Sequence, residues 1–242
     1  MTVIVVTGTG TEIGKTIVTA ALAAVATAAG RSVAVLKPAQ TGLAPGEAGD
    51  ADDAVRLSGA VTGTELARFP EPLAPGTAAR RAGMAPVPPA EIADAARKLT
   101  EEHDLVLVEG AGGLLVRYDE DGGTLADAAR LLGAPVLVVA PAGLGTLNST
   151  ALTAEALRAR GIEQLGVVVG SWPAEPDLAA RCNLADLPDA AGAPLLGALP
   201  EGAGTLAPEA FRTAAAGWLA PALGGSWDAA EFAAAAGTDT GV

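Results

Sequence analysis

One stretch, Val3-Ile4-Val5-Val6-Thr7-Gly8-Thr9-Gly10-Thr11-Glu12-Ile13-Gly14-Lys15-Thr16, constrains this chain more than any other. Apolar β-formers run into a glycine-rich turn, and Gly14-Lys15-Thr16 then opens a helical periodicity through Val18, Leu22 and Val25. A strand that feeds a helix through such a turn is a phosphate cradle. Backbone N–H groups of the turn and first helical residues converge on an anion, and the helix dipole favours negative charge there. Lys15 can reach the outer phosphates as a point charge, and the Thr16 hydroxyl can coordinate Mg²⁺. The spacing is unusual. The glycine expected four spacer residues before Gly14 falls on Thr9, and Gly8 fits only with five.

The rest of the chain alternates short apolar runs with helical segments. Ser32–Leu36, Leu105–Val108, Val136–Ala140, Val167–Val169 and Leu195–Leu199 read as strands. Helices are expected through Ile92, Ala96 and Leu99, through Leu152 and Ala156, and from Pro208 with Phe211 and Trp218 on one face. The implied fold is α/β: a single-domain, mostly parallel sheet with helices on both faces, over residues 1–224. Gly42 to Asp53 reads as an acidic loop and Phe69 to Pro89 as a long proline-rich loop over the site. The tail at 225–242 reads as frayed.

Composition narrows the partners. Half of the 242 residues are hydrophobic, but aromatics are only 3%, so packing must rely on alanine, valine and leucine. A net charge of −13 with no basic cluster argues against nucleic acid. Cys182 is the single cysteine, which excludes an intramolecular disulfide and favours a cytoplasmic setting. The first strand begins too early to leave room for a signal peptide, and the longest uncharged run, Thr16 to Gly30, is too short to span a bilayer.

In a parallel sheet, functional groups collect at the carboxyl ends of the strands. Glu109, directly after Leu105–Val108, sits where an acid can bind Mg²⁺. Lys37 follows the second strand and faces the same rim as Lys15, which places two cations near one transferring phosphoryl group. Asp50 and Asp53 are further metal candidates, although acids in a loop are usually solvated. Glu12 is expected to point away from the phosphates or to reach the metal shell. His103 reads as an exposed surface histidine, and no Ser/His/Asp, Cys/His or zinc-type spacing is present.

Gly8 to Thr16, Lys37-Pro38-Ala39-Gln40-Thr41-Gly42 and Val108-Glu109-Gly110-Ala111-Gly112-Gly113, taken together and in this order, resemble the dethiobiotin synthetases, P-loop NTPases of biotin biosynthesis. The five-residue glycine spacing is that family's form. Gly143-Leu144-Gly145-Thr146-Leu147-Asn148 and Gly197-Ala198-Leu199-Pro200 are similar to further family segments. The resemblance implies ATP-dependent carboxylation and ring closure of 7,8-diaminononanoate with CO₂, through a carbamate and a carbamic-phosphoric anhydride. It implies catalytic roles for Lys37, Lys15 and Thr11, substrate contacts from Thr11, Lys37 and Thr41, and Mg²⁺ on Thr16, Asp50 and Glu109. Nucleotide contacts are implied at Glu12, Ile13, Gly14, Lys15, Thr16, Ile17, Asp50, Glu109, Gly110, Ala111 and Gly112. At the base end they are implied at Gly170, Ser171, Pro200, Glu201 and Gly202. The family is homodimeric, with the substrate's carboxylate tail reaching the partner near Leu147 and Asn148.

Two departures stand out. Gly170 occupies the place where the family commonly has an asparagine that reads the base, so other nucleoside triphosphates are expected to be accepted. Gly76 stands where a histidine is frequent, and no role transfers to it. Three other readings compete. A partitioning-type switch ATPase would carry a lysine early in the loop, and residues 7 to 14 hold none. An amidotransferase-related synthetase would need an ammonia source and a placed cysteine nucleophile. A purely binding protein would not need paired cations beside acids.

Overall fold

A computed structural model describes residues 2–59 and 61–237. Its strands are β1 (Thr2–Gly8), β2 (Val33–Thr41), β3 (Thr62–Phe69), β4 (Leu105–Gly113), β5 (Val136–Ala140), β6 (Gln164–Trp172) and β7 (Leu195–Pro200). They form one seven-stranded sheet in the order β3-β2-β4-β1-β5-β6-β7. Every neighbouring pair is parallel. The helices are α1 (Lys15–Ala28), α2 (Asp50–Ser58), α3 (Pro75–Ala82), α4 (Pro89–Leu99), α5 (Leu125–Leu132), α6 (Thr146–Ala159), α7 (Leu178–Ala191), α8 (Pro208–Ala215) and α9 (Ala229–Ala235).

Consecutive residues in the central strands are buried whichever way they point: Val5, Val6, Val106, Leu107, Val108, Val138 and Val139 are all fully buried. Both faces of the sheet are therefore covered, as the unbroken apolar runs require. Each such side chain contributes roughly 1.5–3 kcal/mol of burial. Ala20, Ala21, Ala23 and Ala24 let α1 lie close to its neighbours, α2 and α8 among them. No helix among the described residues is long and apolar enough to cross a membrane.

Strand β1 pairs with β4 on one side and β5 on the other. Chain order reverses there, and the crevice beyond the carboxyl ends of such strands is where an open α/β sheet binds ligands. The glycine-rich loop leaves β1 at that point.

Several expectations are corrected. The second strand does not stop at Leu36 but continues to Thr41. Beyond Leu36 it leaves β4 and pairs only with β3, from Lys37↔Glu65 to Thr41↔Phe69. A strand with one neighbour tolerates Pro38, which donates no hydrogen bond. The acidic loop is helical from Asp50, because Gly49 N–H donates to the Asp52 carboxylate at 2.8 Å and the acids of the first turn suit the helix dipole. The proline-rich loop contains α3, opened by Pro75 at its first position. His103 is half-buried and hydrogen-bonded through Nε2 to the Thr62 hydroxyl. Of the tail expected to be frayed, the described part forms α9, with Trp227 buried and Phe232 edge-on to Trp172 at 5.2 Å. Residues 238–242 lie outside the described residues.

Candidate active site

The loop between β1 and α1 is shaped by two glycines. Gly14 caps α1 with φ 90°, a left-handed conformation that side chains disfavour. A Cβ there would also meet the Gly170 carbonyl oxygen at 2.3 Å, and a Cβ on Gly170 would meet the Ile13 carbonyl oxygen at 2.0 Å. The loop thus rests directly on the end of β6, and both positions need glycine for packing alone. Glu12 also has positive φ (58°), is exposed, and lines the cleft. Lys15 folds back so that its Nζ donates to the Gly10 carbonyl at 2.8 Å. Burial, reinforced by the nearby Lys37 charge, holds the Lys15 pKa below its ordinary value, with Glu109 and Asp50 partly offsetting. An arriving polyanion therefore meets an ammonium held in a partly dehydrated cradle.

Lys37 is the hub of the site. It lies inside β2 and is 2% exposed. Its Nζ lies 2.5 Å from Asp50 Oδ2 and 2.9 Å from Glu109 Oε1, and it donates to the Gly110 carbonyl at 3.1 Å. Burial alone would lower the Lys37 pKa, but the charges and hydrogen bonds of Glu109 and Asp50 together raise it. Lys37 is a fixed cation and cannot serve as a base at neutral pH.

The acids are positioned from three elements. Glu109 comes from β4, opposite Val6 of β1. Asp50 is the first residue of α2, and its backbone N–H donates to Gln40 Oε1 on β2 at 2.9 Å. Asp53 turns instead to Arg56 on the exposed side of α2, so Asp50 is the acid that faces the cleft. The Thr16 hydroxyl donates to Glu109 Oε1 at 2.8 Å. Among the described residues the other carboxylate oxygen, Glu109 Oε2, is buried without a hydrogen-bond partner. A buried, unpaired carboxylate oxygen costs free energy unless something binds it. Two carboxylates and a hydroxyl fit Mg²⁺, which takes few protein ligands and completes its shell with water and phosphate oxygens.

These groups open into one cavity of about 810 Å³. Of the residues expected in the site, Thr11, Glu12, Ile13, Gly14, Lys15, Thr16, Ile17, Lys37, Thr41, Asp50, Glu109, Ala111 and Gly112 line it. Gly110 stands behind it and contributes a carbonyl to Lys37. Gly170 touches the loop from beneath. Ser171, Pro200, Glu201 and Gly202 do not line it; they lie together at the ends of β6 and β7, where Trp172 pairs with Pro200 and Glu201 N–H donates to the Trp172 carbonyl at 2.7 Å. Leu147 and Asn148 lie apart, in the first turn of α6.

The proline-rich loop expected over the site supplies the Pro72-Leu73-Ala74-Pro75 wall, but the sequence did not single out Gln40, Val116 or Tyr118. The wall and Val116 line the cavity, and Tyr118 is fully buried beneath it with its hydroxyl accepting the Ala111 N–H at 2.8 Å. Only Gln40 lay within a quoted motif. The others have no motif, because their roles depend on which segments fold against each other.

A family model described as an AAA domain matches residues 2–209. The chain is 72% identical over 235 residues to the ATP-dependent dethiobiotin synthetase BioD of Streptomyces avermitilis, covering 97% of this chain and 99% of that one. It is 70% identical to the protein of the same name from Streptomyces coelicolor, with 96% and 98% covered. Frankia casuarinae supplies another of that name at 61% identity, with 97% and 98% covered. Among solved structures, a ParA family ATPase from Chlorobium tepidum superposes with TM-score 0.54 at 13% identity, over 88% of this chain and 90% of that one. The MinC:MinD complex of Aquifex aeolicus gives TM-score 0.54 at 14% identity, over 89% and 86%. These two likenesses concern the fold.

Proposed function

Since this chain belongs to the ATP-dependent dethiobiotin synthetase family, we propose that its cleft carries out that family's ring closure with the residues just described. The chain is an ATP-dependent ligase of biotin biosynthesis, and the convergence of Lys15, Lys37, Asp50 and Glu109 on one cavity carries the assignment of roles. An amine of 7,8-diaminononanoate takes up CO₂ and releases a proton, giving a carbamate. A carbamate oxygen attacks the γ-phosphorus of ATP and ADP leaves, giving a carbamic-phosphoric anhydride. The second amine then attacks the carbonyl, closes the cyclic urea and releases phosphate.

Lys37 neutralises the carbamate and the transferring phosphoryl group, and Lys15 neutralises the outer phosphates from the opposite side. The mechanism calls for positioning and charge more than for a strong base, which suits a site whose two lysines are cations and which holds no histidine. Thr11 and Thr41, both on the cavity wall, orient the diamine. Thr16, Asp50 and Glu109 would hold Mg²⁺, which supplies charge neutralisation across the β- and γ-phosphates when bound. The corner of Ser171, Pro200, Glu201 and Gly202 receives the base. Gly170 is glycine because the phosphate loop packs directly against it, so its missing side chain carries no statement about the base. The enzyme works as a homodimer. Asn148 and Leu152 lie four residues apart on α6, both exposed, and Leu144 is exposed in the turn just before the helix. Leu144 at 93% and Leu152 at 59% exposure are apolar enough to face a second copy. Leu147 and Asn148 between them are the residues expected to meet the partner's substrate.

The test is phosphate release with ATP, Mg²⁺ and bicarbonate, with and without the diamine. Release that requires the diamine is expected. Diamine-independent hydrolysis would favour a switch ATPase.

A further inference from the structure

Strand β4 does not end as a regular strand. Its register with β1 runs evenly from Thr2↔Leu105 to Val6↔Glu109 and then jumps to Gly8↔Gly113. Two residues on β1 thus span four on β4, and Gly110-Ala111-Gly112 bulges out of the ladder. Gly112 takes φ 73°, and a Cβ on Gly110 would meet Leu125 Cδ2 at 2.4 Å, so the bulge is pressed against α5 from behind. A bulge re-aims side chains and leaves backbone groups without ladder partners.

The stranded group here is the Ala111 N–H, and it donates to the Tyr118 hydroxyl at 2.8 Å. Tyr118 is fully buried and ranks among the largest fully buried side chains. Burial raises the pKa of its phenol, so it stays neutral and able to accept. Its neighbour Arg117 accepts the Gly76 N–H of α3 through its carbonyl at 3.0 Å. The chain just before Gly76 is the Pro72–Pro75 wall of the cleft. Residues 117–118 therefore tie the bulge on one side of the cavity to the apolar wall on the other.

We propose that Tyr118 is a positioning residue for the reaction. Through Ala111 it holds the bulge that aims Glu109 and the Gly110 carbonyl at Lys37, and it sets the width of the substrate half of the cleft between Ala111 and the Pro72–Pro75 wall. This rests on the reading of Lys37 and the cavity given above. The bulge borders the phosphate loop, but the base end lies at the ends of β6 and β7 and the phosphates are held chiefly by the loop and α1, so the effect of Tyr118 falls more on the diamine and on turnover than on ATP.

The experiment compares wild type with Tyr118→Phe, which keeps the ring and removes the acceptor. The diamine KM is expected to rise about fivefold or more and kcat to fall about tenfold, with the ATP KM within about twofold. A purely structural tyrosine would lower the yield of folded enzyme and leave the constants per folded molecule unchanged, and that result would overturn the proposal. An equal rise in both KM values would also overturn it. Amide exchange gives a second measurement. In the unliganded wild type the Ala111 N–H is expected to be protected, and in Tyr118→Phe to exchange at least about tenfold faster. If the variant does not fold, a fast Ala111 amide in wild type would still defeat the proposal, and a protected one would sustain the hydrogen bond on which it stands. Wild-type turnover of the diamine checks the underlying reading separately.

Discussion

At the scale of single residues, Lys37 shows how burial changes the meaning of a charge. As a strand-end lysine on an exposed rim it would matter for chemistry and little for stability. In the structure it is enclosed by β2, with Glu109 at 2.9 Å and Asp50 at 2.5 Å. Removing one partner of a buried ion pair leaves the others uncompensated, at a cost of about 3–5 kcal/mol. Asp50 is about one-third exposed, which screens its share. Lys37→Met is therefore expected to lose about 2–4 kcal/mol in urea unfolding and at least about a hundredfold in kcat. An unchanged urea midpoint with lost turnover would show that the carboxylates are hydrated when the lysine is gone. The pH dependence follows from the sign of the shift. The folded pKa is raised, so the stabilisation is fully present below the unfolded lysine value of about 10.4 and is lost only as pH rises through the folded value. No loss of stability across neutral pH is assigned to Lys37.

At the scale of elements, the strands legible in the sequence are the ones buried on both faces. β1, β4, β5 and β6 contain unbroken apolar runs, which a central parallel strand requires and an edge strand does not. β3 carries no such run, for the same reason. It lies at the sheet edge, half-buried, with Thr62, Thr64, Glu65 and Arg68 breaking any run. α7 is hidden in the sequence by Pro188 inside it, although Asp177 caps it by accepting the Ala180 N–H at 2.7 Å. The C-terminal segment is the clearest case. Its alanines and acids carry no strong periodicity, yet Trp227 is buried and Phe232 packs on both Trp172 and Trp227. Trp172 belongs to the corner assigned to the nucleotide base. Truncation after Gly224 is expected to cost about 2–4 kcal/mol of unfolding free energy, as loss of aromatic packing does. It should also raise the ATP KM more than the diamine KM. Unaltered denaturation and kinetics would show that α9 covers the corner without supporting it.

At the scale of the whole molecule, the exposed Leu144 and Leu152 are the apolar residues that the proposed homodimer would cover. Leu152→Glu is expected to shift sedimentation from dimer to monomer. It should raise the diamine KM by about tenfold or more, leaving the ATP KM nearly unchanged, because only the diamine's tail is assigned to the partner. A monomeric wild type, or a dimer insensitive to the substitution, would remove that assignment.

The strand–loop–helix cradle, the parallel sheet and the groups expected at its rim can be read from the residues alone. Those depend on local chemistry: backbone N–H groups at a helix start, glycines where side chains would collide, and apolar runs that must be buried. Packing settles that Asp50 and not Asp53 meets Lys37, that Gly170 is glycine because Ile13 passes against it, and that Tyr118 completes the bulge of β4. Each of these is a contact between segments distant in the chain. Its geometry is set by how helices and strands pack, and no local pattern of residues encodes it.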